Sequence, residues 1–248
     1  MKYLSQQLLK AILPDRIRLP ARYARKKLTG TLDPEMLYVS HLLDNNARFV
    51  DIGANVGIYS YHFSKTFQNI EAFEPLAEIS FRLESLNCKG IKIHNVALSN
   101  SSGVLPFYIP IVNGKSDAAL ASIEKRTGNV EVRNVDVKRL DDYNFHDVGL
   151  VKIDAEGHEE SVMLGGIDTI KRNMPIMIIE IEQRHSSKPI TSVFKIATDL
   201  GYQVFFLKQK TLRPLSDFSY EADQAPYIGD ELNKDYVNNF IFLPQKTP

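Results

Sequence analysis

Asp51-Ile-Gly-Ala-Asn-Val-Gly57 stands between an apolar run and a helical pattern, and Glu74 follows it just before Pro75. A turn of this kind needs backbone that takes a positive φ and comes close to a ligand, which Gly53 and Gly57 allow. Asn55 is one of the few other residues tolerated in the left-handed region. Asp51 ends the preceding strand and is expected to point into the crevice beyond the carboxyl edge of the sheet, where open α/β folds bind ligands. A carboxylate there suits a ligand with an ammonium group and repels a pyrophosphate. Glu74, at the end of the next strand, is placed to accept the two ribose hydroxyls of a nucleoside. An adenosine with a cationic amino-acid tail meets both demands, so S-adenosylmethionine is the expected ligand. Ala54 and Pro75 complete this set of donor-side residues. The plainer alternative is a buried turn and a surface glutamate before a proline.

A second concentration of chemistry lies in Lys152-Ile-Asp-Ala-Glu-Gly-His-Glu159 and in Glu180, Glu182 and His185. Methyl transfer is an in-line displacement, accelerated largely by holding the acceptor oxygen in line with the methyl. A hydroxyl acceptor is a poor nucleophile, so a base or a metal ion beside it would help. Three readings of Asp154 stay open. In the first it is a general base, assisted by His158 or His185. In the second it holds Mg²⁺ with Glu180 or Glu182, because Mg²⁺ prefers carboxylate oxygens. In the third the segment is structural, its acids satisfying amides at the start of the next helix. A direct role is expected for Asp154 and a structural one for Glu159. Glu180 and His185 join Asp154 as catalytic candidates, the alternative for His185 being an exposed loop histidine. Lys152, in the middle of a buried strand, calls for a partner that the sequence does not name.

These residues must be positioned by alternating strands and helices. Residues 48–53 read as a strand, and 56–67 as a helix with apolar residues at Val56, Tyr59, Phe63 and Phe67. Residues 69–74 form the second strand, a helix carrying Phe81, Leu83 and Leu86 follows, and 91–98 form the third strand. Residues 104–109 and 130–137 look like strands separated by a surface loop between Asn113 and Ser122. The alternation resumes with strand 149–154, helix 159–164, strand 176–181, helix 191–200 and strands 202–207 and 239–243. This is the pattern of a mostly parallel sheet covered by helices on both faces, a Rossmann-like α/β fold.

Charge narrows the function further. The 248 residues carry 30 basic and 30 acidic side chains. Nucleic-acid binding usually brings a basic excess, so no nucleic-acid partner is expected. The single cysteine, Cys88, offers neither an internal disulfide nor a zinc cluster, which fits a reducing, cytoplasmic compartment. The balance hides an asymmetry, because residues 1–30 hold eight basic side chains against the one acid Asp15, a net +7 that leaves −7 on the rest. Leu4, Leu8 and Ile12 line one face of a short helix ending before Pro14. Residues 1–47 read as a basic helical extension and 48–248 as the catalytic domain. The extension either contacts an anionic membrane at its inner face or packs on the domain as a lid.

Phe49-Val-Asp-Ile-Gly-Ala-Asn-Val-Gly-Ile-Tyr-Ser60 resembles the first motif of the FkbM-type S-adenosylmethionine-dependent methyltransferases. Ala72-Phe-Glu-Pro75 resembles their second motif, Asn95-Val-Ala-Leu98 their third, and Val137-Lys-Arg-Leu-Asp-Asp142 the segment before the fourth strand. Lys152 to Glu159, with Leu164 and Gly165-Gly166, is similar to the fourth and most specific motif, and Asn239 to Pro244 to the last strand. The resemblance implies a class I methyltransferase fold, with seven strands and the last one antiparallel. It sets Asn95 and Ala97 beside the adenine. It also implies O-methylation of a sugar, glycolipid or related small molecule, with acceptor contacts outside the resembling region of about 48 to 182. A rival NAD-dependent oxidoreductase lacks its Gly-x-Gly-x-x-Gly and meets the acid Asp51. A nucleic-acid methyltransferase typically carries Asn-Pro-Pro-Tyr where this chain has Asp154-Ala-Glu-Gly157. A non-catalytic module would have little use for an intact donor site.

Overall fold

The computed structural model describes residues 15–43, 47–85, 88–230 and 233–245. The leucine pattern of residues 1–13 and Leu86 lie outside the described residues. The chain enters through α1 (Asp15–Leu28) and α2 (Pro34–Val39). It then runs β1 (Arg48–Ile52), α3 (Ile58–Phe63), β2 (Asn69–Phe73), α4 (Ala77–Ser85) and β3 (Ile91–His94). A separate small sheet follows, built from β4 (Ala97–Leu98), β5 (Gly103–Val112), β6 (Lys115–Ser116) and β7 (Val130–Lys138). The main sheet resumes with β8 (Val148–Ile153), α5 (Glu159–Gly165), α6 (Ile167–Asn173), β9 (Ile176–Glu180), α7 (Thr191–Asp199) and β10 (Tyr202–Lys208). The hairpin strand β11 (Thr211–Pro214), the short helix α8 (Tyr220–Asp223) and β12 (Asn239–Pro244) complete the chain.

The strand order β11-β10-β12-β9-β8-β1-β2-β3 puts β1 and β8 side by side in the middle. β1, β2, β3, β8 and β9 run parallel, whereas β12 is antiparallel to both β9 and β10. The expected antiparallel last strand is therefore present, but the sheet has eight strands rather than seven, because β11 folds back on β10 as an extra edge. The resulting class is the Rossmann-like α/β fold of the class I methyltransferases.

Central strands are apolar on both faces because helices cover both. Val151 and Ile153 of β8 join the core beneath α5 to α7, while Leu150 packs on the other face with Phe49, Phe63 and Phe67. Met36 and Val39 of α2 are fully buried in that second core. Burying side chains of this size is worth about 1.5–3 kcal/mol each. α1 packs on α3 and α4 rather than on the sheet, through Leu19 and Tyr23. His62 of α3 ties both N-terminal helices down, with Nδ1 2.7 Å from the Tyr23 hydroxyl and Nε2 2.9 Å from Ser40 Oγ. Burial, then Lys65 and Lys27, lower its pKa to about 4, so the ring is neutral.

Three local expectations are corrected. Residues 91–98 are two strands in two sheets, because the chain turns at Asn95, whose amide donates to the carbonyls of Glu74 and Pro75 at 3.1 and 2.8 Å. Phe81 lies on the outer face of α4, 71% exposed, so it is no core residue. The stretch between Asn113 and Ser122 is not wholly a surface loop, since Ala121 and Ser122 are buried and Ser122 bridges to Tyr108. Among the described residues, no helix is long and apolar enough to cross a membrane.

Candidate active site

β1 and β8 deliver their carboxyl ends to one edge of the sheet, where two turns cross closely. The amides of Gly53 and Ala54 both donate to Phe73 O at 3.0 Å, and Asp154 N donates to Ile52 O at 3.0 Å. Gly53 takes φ +74, and a Cβ on it would collide with the carbonyl oxygen of Asp154. Both conformation and space therefore demand glycine there. Asn55 occupies the left-handed region at φ +47, as its position in the motif predicts.

Glu74 joins this turn to the next. Its Oε2 accepts from Asn55 N and its Oε1 from Leu76 N, each at 2.9 Å. Burial pushes its carboxyl up to about 7, although those two amides pull it back. A cleft begins here. Gly53, Asn55, Glu74, Pro75 and Ala97 line one part, Phe107, Ala118, Ala121 and Ile123 of the second-sheet region another, and Asp154, Glu156 and His158 of the turn after β8 a third.

Other donor-side candidates stand behind that wall. Asp51 does not point into the crevice. It is 1% exposed and accepts a hydrogen bond from Ser60 Oγ at 2.6 Å, because α3 begins directly above the strand end. Burial pushes its carboxyl to about 6, with Ser60 and Lys152 pulling it back. Ala54 is buried beneath the turn, and Gly57 (φ +81) faces Leu83 of α4. Asn95 shapes the turn after β2 and is not part of the cleft wall.

The strand ends of β8 and β9 are organised around Lys152, whose side chain is 2% exposed. Its ammonium donates to Asn239 Oδ1 at 3.1 Å and Ile153 O at 3.2 Å. It lies 3.7 Å from Glu180 Oε2, 4.0 Å from Asp154 Oδ2 and 5.2 Å from the Tyr59 ring centre. These are the partners the sequence could not name. Burial lowers the Lys152 pKa, but Asp154, Glu180, Asp33 and Asp51 together more than offset it, and the net shift is upward. Burial pushes Asp154 to about 7, Lys152 pulling it down and Glu156 and Glu159 pushing it up. Glu180 is held well above the ordinary carboxylate value by burial and by Asp154.

Glu182 turns away from this group. Its carboxylate accepts from Arg184 Nε at 2.6 Å and from the Tyr236 hydroxyl. Among the described residues, no three His, Cys, Asp or Glu side chains gather as a metal site. Of the two partners expected for Asp154 around Mg²⁺, Glu182 is engaged elsewhere, whereas Glu180 does lie with Asp154, the Lys152 ammonium being within 4.0 Å of both.

The turn between β8 and α5 is held by its own side chains. Glu159 Oε1 accepts from Gly157 N at 2.9 Å and Ala155 N at 3.2 Å, a structural role. Glu156 takes φ +52, and its carboxylate is 2.5 Å from His185 Nδ1. The His185 side chain is 8% exposed, so it is not an exposed loop histidine. His158 bonds Ser99 Oγ at 2.9 Å and Glu124 at 2.7 Å, and Arg126 donates to Glu156 O at 2.8 Å. Phe107, Ala121, Glu124 and Arg126 escaped the sequence reading because they come from the inserted second-sheet region. The one available signal was its position, between the strands that flank the ligand crevice.

A sequence model of the family described as Methyltransferase FkbM domain matches residues 51–204. Methyltransferase sdnD of Sordaria araneosa is 26% identical over 185 residues, covering 58% of this chain and 71% of that protein. Methyltransferase 1 of Beauveria bassiana (strain ARSEF 2860) is 29% identical over 145 residues, covering 47% of this chain and 57% of the relative. The crystal structure of a methyltransferase FkbM from Methylobacillus flagellatus KT superposes with a TM-score of 0.50 at 14% identity, covering 96% of this chain and 57% of that one. At that identity the structural likeness shows the fold alone. The sequence match carries more, since it extends from β1 into β10 and takes in both the glycine turn and the acid-rich turn after β8. The chain belongs to the FkbM methyltransferase family.

Proposed function

We propose that this S-adenosylmethionine-dependent methyltransferase methylates a hydroxyl of a small molecule, with sugars and glycolipid headgroups as the leading class. The observation that carries this reading is Asp154 at the end of β8, lining the cleft beside Gly53, its carboxyl pushed up to about 7 by burial. A base poised near neutrality is what a weakly acidic hydroxyl needs. Glu180 and Lys152 are positioning residues in this reading, holding Asp154 at the end of β8. His185 acts through Glu156, which it bonds.

The donor end fits the nucleoside. Ala97, Leu98, Phe107 and Ala121 offer flat apolar walls to a base, and Glu74 offers a carboxylate to ribose hydroxyls. Backbone at Gly53 and Asn55 borders the space for the amino-acid tail, with Asp51 supporting the turn through Ser60. When bound, S-adenosylmethionine supplies an electrophilic methyl group. The protein's part is to hold the acceptor oxygen in line and take its proton. Glu182 is tied to Arg184 and Tyr236, and the Lys152 ammonium beside Asp154 and Glu180 would repel a cation there, so base catalysis is favoured over Mg²⁺. The carboxylates at the cleft end disfavour a phosphate backbone.

The test is methyl-labelled donor offered with free glycans, glycolipids, phenolic hydroxyl compounds and RNA. Label is expected on a hydroxyl compound and not on RNA, and activity should survive EDTA. Transfer to RNA would overturn the acceptor class. Loss in EDTA with recovery in Mg²⁺ would replace the base by a metal.

A further inference from the structure

α1 has two faces, and the domain uses one. Leu19 and Tyr23 are buried against the body. On the opposite side Ile17, Ala21, Ala24 and Leu28 fall within an arc of about 60° at 3.6 residues per turn. All four are exposed, Leu28 to 88%. The exposed Arg22 and Arg25 follow one flank of this apolar ridge and Lys27 the other. The helix holds six basic residues and one acid, whereas residues 31–248 carry the balancing −7. No part of the proposed chemistry uses this surface.

We propose that the outward face of α1 is a docking surface for an anionic lipid bilayer. An apolar ridge flanked by cations is the design of a helix lying in the membrane interface, with the ridge among acyl chains and the cations at headgroup phosphates. A nucleic acid would instead meet Ile17 and Leu28 where it needs hydrogen-bond donors. The net negative remainder is repelled by the same bilayer, so one orientation is selected. That orientation matters because α1 is fixed to the donor side of the site. Leu19 packs 3.6 Å from the Cβ position at Gly57, and Tyr23 is bonded to His62. Docking through α1 therefore sets the glycine turn at a defined height above the lipid surface.

The experiment is flotation of the full chain with phosphatidylcholine vesicles, with and without phosphatidylglycerol. Binding is expected only with phosphatidylglycerol, weakening with salt, because exposed charges are screened within about 8 Å at physiological ionic strength. Arg25→Glu/Lys27→Glu should lower the partition coefficient by about 10-fold or more. Leu28→Asp should lower it with the cations intact. Both variants should keep wild-type melting temperature and S-adenosylmethionine affinity, which separates lost docking from lost folding. The proposal is overturned if the full chain ignores anionic vesicles at low salt. It is equally overturned if both variants bind undiminished, since residues outside α1 would then carry the contact, or if neutral vesicles bind as well as anionic ones.

Discussion

The glycine turn after β1 and the strand ends around Lys152 are built by different means. In the turn, main chain does most of the positioning. Gly53 crosses the Asp154 carbonyl with no room for a Cβ, and Glu74 is clipped by two backbone amides. Around Lys152, charges do it. One buried lysine stands between Asp154 and Glu180, with β12 contributing Asn239 from 87 residues away in sequence. Contacts made by main chain alone, such as those of Gly53 and Ala54 to Phe73 O, survive the loss of a side chain, whereas Asn55 N and Leu76 N lose their acceptor with Glu74. A buried charge group fares worse, since removing one member leaves the others unpaired in a poorly solvated place.

The sharpest way to break the contrast is Lys152→Met. Losing the ammonium strands two carboxyl groups and should cost about 3–5 kcal/mol, the scale for breaking a buried pair. For a chain of this length that is a fall on the order of 10 °C in melting temperature, read by thermal unfolding. Adding Glu180→Gln to Lys152→Met should recover part of the loss, because coupled neighbours are not additive. Strict additivity would mean that the three groups do not act as a unit.

Asp154→Asn separates chemistry from folding at the same end. It keeps the shape and removes the base, so kcat should fall about 10²-fold while S-adenosylmethionine affinity holds and the melting temperature falls less than in Lys152→Met, since Glu180 remains beside the ammonium. In the wild type, kcat should climb as pH rises through about 7, where the Asp154 carboxyl loses its proton. An unfolded variant would make Asp154 a structural residue.

The same difference explains what was legible. The glycine turn could be read because steric rules leave few residues able to occupy φ +74, +47 and +81, and Gly53, Asn55 and Gly57 are among them. The main strands could be read because burial on both faces gives continuous apolar runs. Asp51 was misjudged, because the strand pattern fixes which residue ends β1 but not that Ser60 of α3 captures its carboxylate. The surroundings of Lys152 were illegible, since Tyr59, Glu180 and Asn239 come from three elements that only the sheet order brings together. The break between β3 and β4 was hidden as well. Residues 91–98 alternate well enough for one strand, and the cause of the break is a side-chain bond from Asn95 to the previous turn.

The smallest expected effect concerns Glu74 and sharpens the donor side. Its folded pKa, about 7, lies above the ordinary carboxylate value. The stability it lends the ligand-free protein is therefore present below that ordinary value and lost as pH rises through about 7. Ribose hydroxyls donating to the carboxylate favour its charged form, so binding should release a proton and tighten over the same window. Glu74→Ala should weaken S-adenosylmethionine by about 1–3 kcal/mol, the usual cost of leaving buried hydrogen-bonding groups unpaired. Calorimetry one pH unit above and one below that value separates two roles. A loss concentrated on the alkaline side means the carboxylate meets the ribose directly. An equal loss on both sides means that Glu74 serves by clipping Asn55 and Leu76 together, and that even at this end the ligand is held by backbone the side chain merely fastens.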